Sequence, residues 1–95
     1  MVQGDLTLNG MAVNVTVPPE LQWTDIRRDQ EYTLTTITVR LLPDGHLAAK
    51  AYGRPTAGGR GGYTSFRVPD EEPLMALINE AATFAGKQWH SHRGI

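Results

Sequence analysis

The chain has no cysteine among its 95 residues. Disulfides, thiolate metal sites and thiol nucleophiles are excluded together, and nothing supports a disulfide-stapled secreted domain. Long apolar runs are missing too. None approaches the roughly 18 residues of a membrane-spanning helix, so no membrane partner is expected. The first residues, MVQGDLTLNG, lack the basic start and apolar stretch of a signal peptide. A cytoplasmic location is the expectation, and the triplet Asn14-Val15-Thr16 then carries no weight as a glycosylation site. Lysine is scarce, at Lys50 and Lys87 only, while arginine, alanine and glycine are plentiful. That usage points to a GC-rich bacterial or phage gene.

Catalytic constellations are also lacking. Ser65 and Ser91 have no base with an orienting partner in a recognisable context. The acids gather where a helix starts, which is a structural position. His90 and His92 form an H-x-H pair, but a specific metal site needs three or four ligands. No enzyme activity, cofactor, metal or small-molecule substrate is expected.

Net charge is −1, so there is no global pull toward a polyanion. The charges are nevertheless uneven. Between Arg40 and Arg67 stand Arg40, Lys50, Arg54, Arg60 and Arg67 against Asp44 alone. Between Asp70 and Glu80 stand four acids and no base.

What is present reads as one small α+β domain over residues 1–95. Hydrophobic residues make up 40% and charged residues 20%, as in ordinary globular chains. Leu6 and Leu8, then Asn9-Gly10, then Met11, Val13, Val15 and Val17 alternate with polar residues. Asn-Gly favours a type I′ hairpin turn, so strands are predicted at about 5–8 and 11–17, ended by Pro18-Pro19. Residues 18–30 carry neither period, and a helical turn or ordered loop is expected there. Tyr32, Leu34 and Thr36 share one phase while Ile37, Val39 and Leu41 share the other. That slip predicts a β-bulge near Thr35–Ile37. Pro43-Asp44-Gly45 is a turn signal, followed by a return strand from His46 to Tyr52 and a further strand from Tyr63 to Val68.

Leu74, Leu77, Ile78, Ala81, Phe84 and Ala85 then repeat at helical spacing. Asp70 fits the N-cap, Glu71 and Glu72 suit the positive end of the dipole, and Gly86 is expected to end or weaken the helix. The fold class is therefore an antiparallel β-sheet of about five strands, two hairpins plus one strand, with a single C-terminal α-helix packed on one face. Thr33, Thr35, Thr38 and Arg40 are expected on the open face. Residues 53–62 read as a flexible Gly/Arg loop and 87–95 as a C-terminal tail.

The stretch GRPTAGGRGGYTSFR, Gly53 to Arg67, holds five glycines and three arginines. A phosphate loop needs Lys-Ser/Thr after its glycines and a helix behind them. Here a strand follows, so that reading falls. Arg60-Gly61-Gly62-Tyr63 instead sets a guanidinium beside an aromatic ring, which suits a partner surface or a nucleic-acid contact. Trp23 with Arg27 and Arg28 pairs an aromatic with two cations, the residue types enriched at interface hot spots.

Asp44-Gly45, Gly61-Gly62, Phe66 and the following helix also carry a resemblance over about residues 31–85. Their order is similar to that of the AP2-like, arm-binding N-terminal domains of phage-type integrases. The resemblance implies a three-stranded sheet lying in a DNA groove. Two functional expectations follow. The first is a non-enzymatic interaction or regulatory protein that binds a protein partner or forms a homodimer, a phage or mobile-element accessory acting on a host protein. Its candidate contacts are Arg54, Arg60, Tyr63, Trp23, Arg27 and Arg28. The second is a nucleic-acid-binding module using Arg40, Lys50, Arg54, Arg60 and Arg67.

Overall fold

The computed structural model describes residues 5–9, 12–42, 44, 46–58 and 62–92. Among them the chain forms β1 (Asp5–Asn9), β2 (Ala12–Thr16), a 3-10 turn (Pro19–Leu21), β3 (Trp23–Arg27), β4 (Gln30–Leu41), β5 (Leu47–Pro55), β6 (Thr64–Phe66) and α1 (Glu72–His92). All pairings are antiparallel, in the order β1-β2-β4-β5-β6, with β3 also on β4. This is the expected α+β class, a sheet with a single C-terminal helix. No helix in the described residues is long and apolar enough to cross a membrane.

β4 is the spine. β5 runs along one edge of it, from Tyr32↔Pro55 to Leu41↔Leu47. The other edge is shared end to end, by β2 opposite Thr36–Arg40 and β3 opposite Gln30–Leu34. Residues 17–22 are the excursion between the two short strands. It is pinned at its start, where the Val17 N–H donates to the Thr35 carbonyl at 2.8 Å.

Thr35 is the predicted bulge. The β4–β5 register shifts between Leu34 and Thr36, leaving Thr35 without a β5 partner. The shift lets Leu34 and Ile37 both point into the core despite their opposite parity. Gly53, opposite Leu34, completes this feature. A Cβ there would strike the Thr33 carbonyl oxygen, so the close approach of the two backbones requires glycine.

β3 corrects the reading of residues 18–30, which hold a strand besides the expected helical turn. It forms a hairpin with β4 in which Arg27 faces Gln30. The two turn residues, Arg28 and Asp29, have φ of 55° and 61°. Positive φ at both centres is the primed geometry that matches strand twist, here adopted without glycine or asparagine.

The core is Val13, Val15 and Val17, Leu34, Ile37 and Val39, Ala51 and Phe66 from the sheet side, and Leu74, Leu77, Ala81 and Ala85 from α1. The helix packs over β2 and β4. Toward β3 and β6 the same face is finished by side chains instead. The Tyr32 and Phe66 rings meet at 5.3 Å, and the Arg27 guanidinium lies 4.5 Å from the Phe66 centroid. Fully burying a residue such as Leu34 or Ile37 contributes about 1.5–3 kcal/mol.

Both ends of α1 differ from expectation. Its first residue is Glu72, and the Glu71 carbonyl accepts the Met75 N–H at 2.9 Å, so Glu71 takes the cap position expected for Asp70. The helix also runs through Gly86 to His92. Gly86 is exposed with open space around it, so no packing need or turn geometry fixes a stop there, and the expected tail begins as helix.

The Gly/Arg loop is shorter than expected. Gly53, Arg54 and Pro55 belong to β5. A tight turn follows, in which Gly58, at φ 79°, donates its N–H to the Pro55 carbonyl at 3.0 Å. Thr56 ties this turn to β4 through its N–H on the Glu31 carbonyl and its hydroxyl 2.6 Å from that of Thr33.

Candidate functional site

The helix covers one side of the sheet, and strand alternation decides what lies on the other. Ile37, Val39 and Ala51 are buried toward α1. Their chain neighbours Thr36, Thr38 and Arg40 on β4, and Lys50 and Tyr52 on β5, therefore face away from it. Register sets Thr36 beside Tyr52, Thr38 beside Lys50 and Arg40 beside Ala48. On β2, Asn14 lies beside Thr38 and accepts its hydroxyl at 2.7 Å. Arg54 continues the β5 row, paired with Thr33.

The result is an alternation of cation, aromatic and cation, Lys50-Tyr52-Arg54, along one strand. Adjacent members are about 7 Å apart at the backbone. Thr38, Arg40, Leu42, Ala48, Lys50 and Tyr52 enclose a shallow hollow of about 200 Å³. Beyond Tyr52, the Arg54 guanidinium lies 5.5 Å from the Tyr63 ring centroid. Lys50 also borders a second hollow, of about 300 Å³, with Arg27, Ser65, Phe66 and Arg67 at the β6 edge.

Few acids temper this face. Among the described residues the one contact of salt-bridge length is His46 Nδ1 to Asp44 Oδ2 at 2.9 Å, in the turn between β4 and β5. No described carboxylate lies within that reach of Arg40, Lys50 or Arg54. Glu31, in phase with them, sits beyond Thr33 at the start of β4. Asp44 is held below the ordinary carboxylate value, chiefly by the His46 N–H it accepts at 3.0 Å and then by the His46 ring.

The nucleic-acid set from the sequence is thus largely brought together. Arg40 and Lys50 share one hollow and Arg54 extends the row, while Arg67 stands at the β6 edge and also borders a hollow beside α1. Arg60 lies outside the described residues. The protein-partner set is scattered by comparison. Trp23 packs against the core, with its indole N–H buried and without an acceptor. Arg27 is exposed with its guanidinium over the Phe66 ring, on the covered side, and Arg28 occupies the hairpin turn. Arg54 and Tyr63 alone stay together.

Tyr52 was not singled out by sequence reasoning. The signal for it is the period-2 spacing of Lys50, Tyr52 and Arg54, visible once the parity of β5 is fixed by buried Ala51. Among the described residues no group of three or more His, Asp or Glu side chains is placed to hold a metal. The side chains of Trp89, His90 and His92 lie outside the described residues. No protein-family model, curated protein or solved structure matches this chain.

Proposed function

We propose that this chain is a non-enzymatic binding module whose open sheet face holds nucleic acid. The observation that carries the reading is Arg40, Lys50 and Arg54 around Tyr52 on one face, with no described carboxylate in ion-pair range. Cations fixed on a rigid sheet suit phosphates, and a half-buried ring lining a hollow between them suits a base. The net charge of −1 does not oppose this, because Asp70, Glu71, Glu72 and Glu80 lie on α1 or its approach. Those four of the ten acids stand on the helix side of the molecule, away from the open face.

The test is binding of labelled oligonucleotides across a salt series. Wild type should bind at low salt. The Arg40→Ala, Lys50→Ala, Arg54→Ala triple variant should lose that binding, with the log–log salt slope falling by about 2 if three phosphate contacts go. Its melting temperature should stay close to wild type, because all three side chains are exposed. Failure of wild type to bind DNA or RNA at low salt sinks the reading.

A protein partner is favoured by a different observation. Leu47 and Met75 are 46% and 37% exposed and border a hollow of about 320 Å³ with Val39, Ala49, Val68 and Ile78. Among the described residues β6 pairs only with residues 51–53 of β5, and no further strand lies on the edge beside this hollow. An extended peptide could add there and seat alternate side chains in the hollow. Light scattering would separate a second copy from a foreign partner, and Leu47→Asp should abolish either.

A further inference from the structure

Resting on the nucleic-acid reading, we infer that the ligand is a single strand, one of whose bases stacks on Tyr52 in the hollow shared with Arg40 and Lys50. The first reason is width. A B-form major groove is about 12 Å wide and admits a helix or a two-stranded ribbon. The cations here sit on β4 and on β5, which is the outer strand beside Arg40 and Lys50, with β2 and β1 beyond β4. At about 4.8 Å per strand, the face spans roughly 14 Å between its outer strands at Arg40 and about 19 Å where β6 joins. It is too broad to enter the groove. That also separates it from the three-stranded sheet in a groove that the integrase resemblance implies.

The second reason is the position of the ring. Tyr52 lies between Lys50 and Arg54 on β5 and against Thr36 on β4. Its ring walls the hollow. A stacking platform set among phosphate-binding cations is useful only to a base free of its own stack, which a duplex does not offer. The hydroxyls of Thr36 and Thr38 and the amide of Asn14 then stand where base edges would lie. Backbone groups of β4 are engaged on both sides by its neighbours, so side chains alone do the reading, and sequence preference should be weak.

The experiment compares a labelled oligothymidine, an oligouridine and a duplex of equal length by fluorescence anisotropy. Either single strand should bind about tenfold or more tightly than the duplex. Tyr52→Ala should weaken single-strand binding by about tenfold while leaving the salt slope unchanged. Tyr52→Phe should stay within about twofold of wild type, since it keeps the ring. Tyr52→Leu keeps apolar bulk without a π-face, so it guards against a folding defect and should lose as much as Tyr52→Ala. Equal affinity for duplex and single strand overturns the inference and leaves the nucleic-acid reading standing. So does full binding by folded Tyr52→Ala. Absence of binding to every oligonucleotide at low salt, with capture of a protein partner instead, overturns both.

Discussion

Ile37 and Thr38 are adjacent in β4 and belong to opposite faces of the sheet. Ile37 is fully buried against α1, while Thr38 lines the open hollow and bonds Asn14. The covered face is aliphatic and is held by packing. The open face is hydroxyl-rich and basic, and among the described residues its cations make no ion pair. One strand thus writes the fold on one parity and the surface on the other, so stability and binding should separate residue by residue. Ile37→Ala tests the covered face most severely. It should cost about 2–5 kcal/mol of stability through lost burial and a residual cavity. Thr38→Ala should cost about 1 kcal/mol for its hydrogen bond. Urea unfolding measures both. Equal costs would mean the two faces are not energetically distinct.

Gly53 lies where the two faces become interdependent. It sits between Tyr52 and Arg54 in β5, opposite Leu34, with the Thr33 carbonyl where a Cβ would be. Gly53→Ala should force β4 and β5 apart at the bulge and cost about 1–3 kcal/mol. Because Thr33 and Arg54 pair there, it should also weaken oligonucleotide binding without removing a cation. A variant with lost stability and intact affinity would show that the bulge shapes the core only.

Much of the fold could be read from residue order, for reasons tied to particular positions. The phase slip between Leu34 and Ile37 exposed the bulge because burial forces apolar side chains to one side on both flanks. The α1 stripe was equally plain. β3 escaped because its core-facing parity is Trp23, Asp25 and Arg27, with one apolar residue in three. Its other large apolar residue, Ile26, is 69% exposed and in the wrong phase. The end of α1 escaped because a solvent-facing glycine is a weak stop when the helix is held by the packing before it. For the site, the cations were visible but their grouping was not. Register brings Arg40 to Ala48 and Lys50 to Thr38, and no local pattern encodes that. Arg27 is exposed, as its charge suggests, but its guanidinium also lies over the Phe66 ring, a contact no local pattern announces.

The β3–β4 turn gives a smaller test of the covered side, with the opposite sign. Arg28 and Asp29 both hold the left-handed conformation, which costs side-chain-bearing residues about 1–2 kcal/mol each unless local bonds offset it. The Asp29→Gly change together with Arg28→Asn supplies the pair preferred for this turn. It should raise stability by about 1 kcal/mol in thermal melts. Arg28 is not among the open-face cations, so oligonucleotide affinity should not change. A fall in affinity would place the hairpin tip in the binding surface and blur the division between the faces.

The smallest effect is expected at Asp44, in the turn at the Arg40 end of the open face. Its carboxyl is held below the ordinary value of 3.8, chiefly by the His46 N–H. A depressed folded-state pKa contributes stability above the unfolded value, and that contribution is lost as pH falls through the folded one. Asp44→Asn should therefore melt slightly below wild type near neutrality, and the gap should close as pH drops below about 3.8. The group is exposed, so the gap is small throughout. Binding should move the other way. Removing a negative charge from this end of the basic face should raise oligonucleotide affinity slightly at low salt, with the gain fading at moderate salt. A gain in affinity alongside a loss in stability, from one uncharged substitution, would separate the two faces at the point where they are closest in energy.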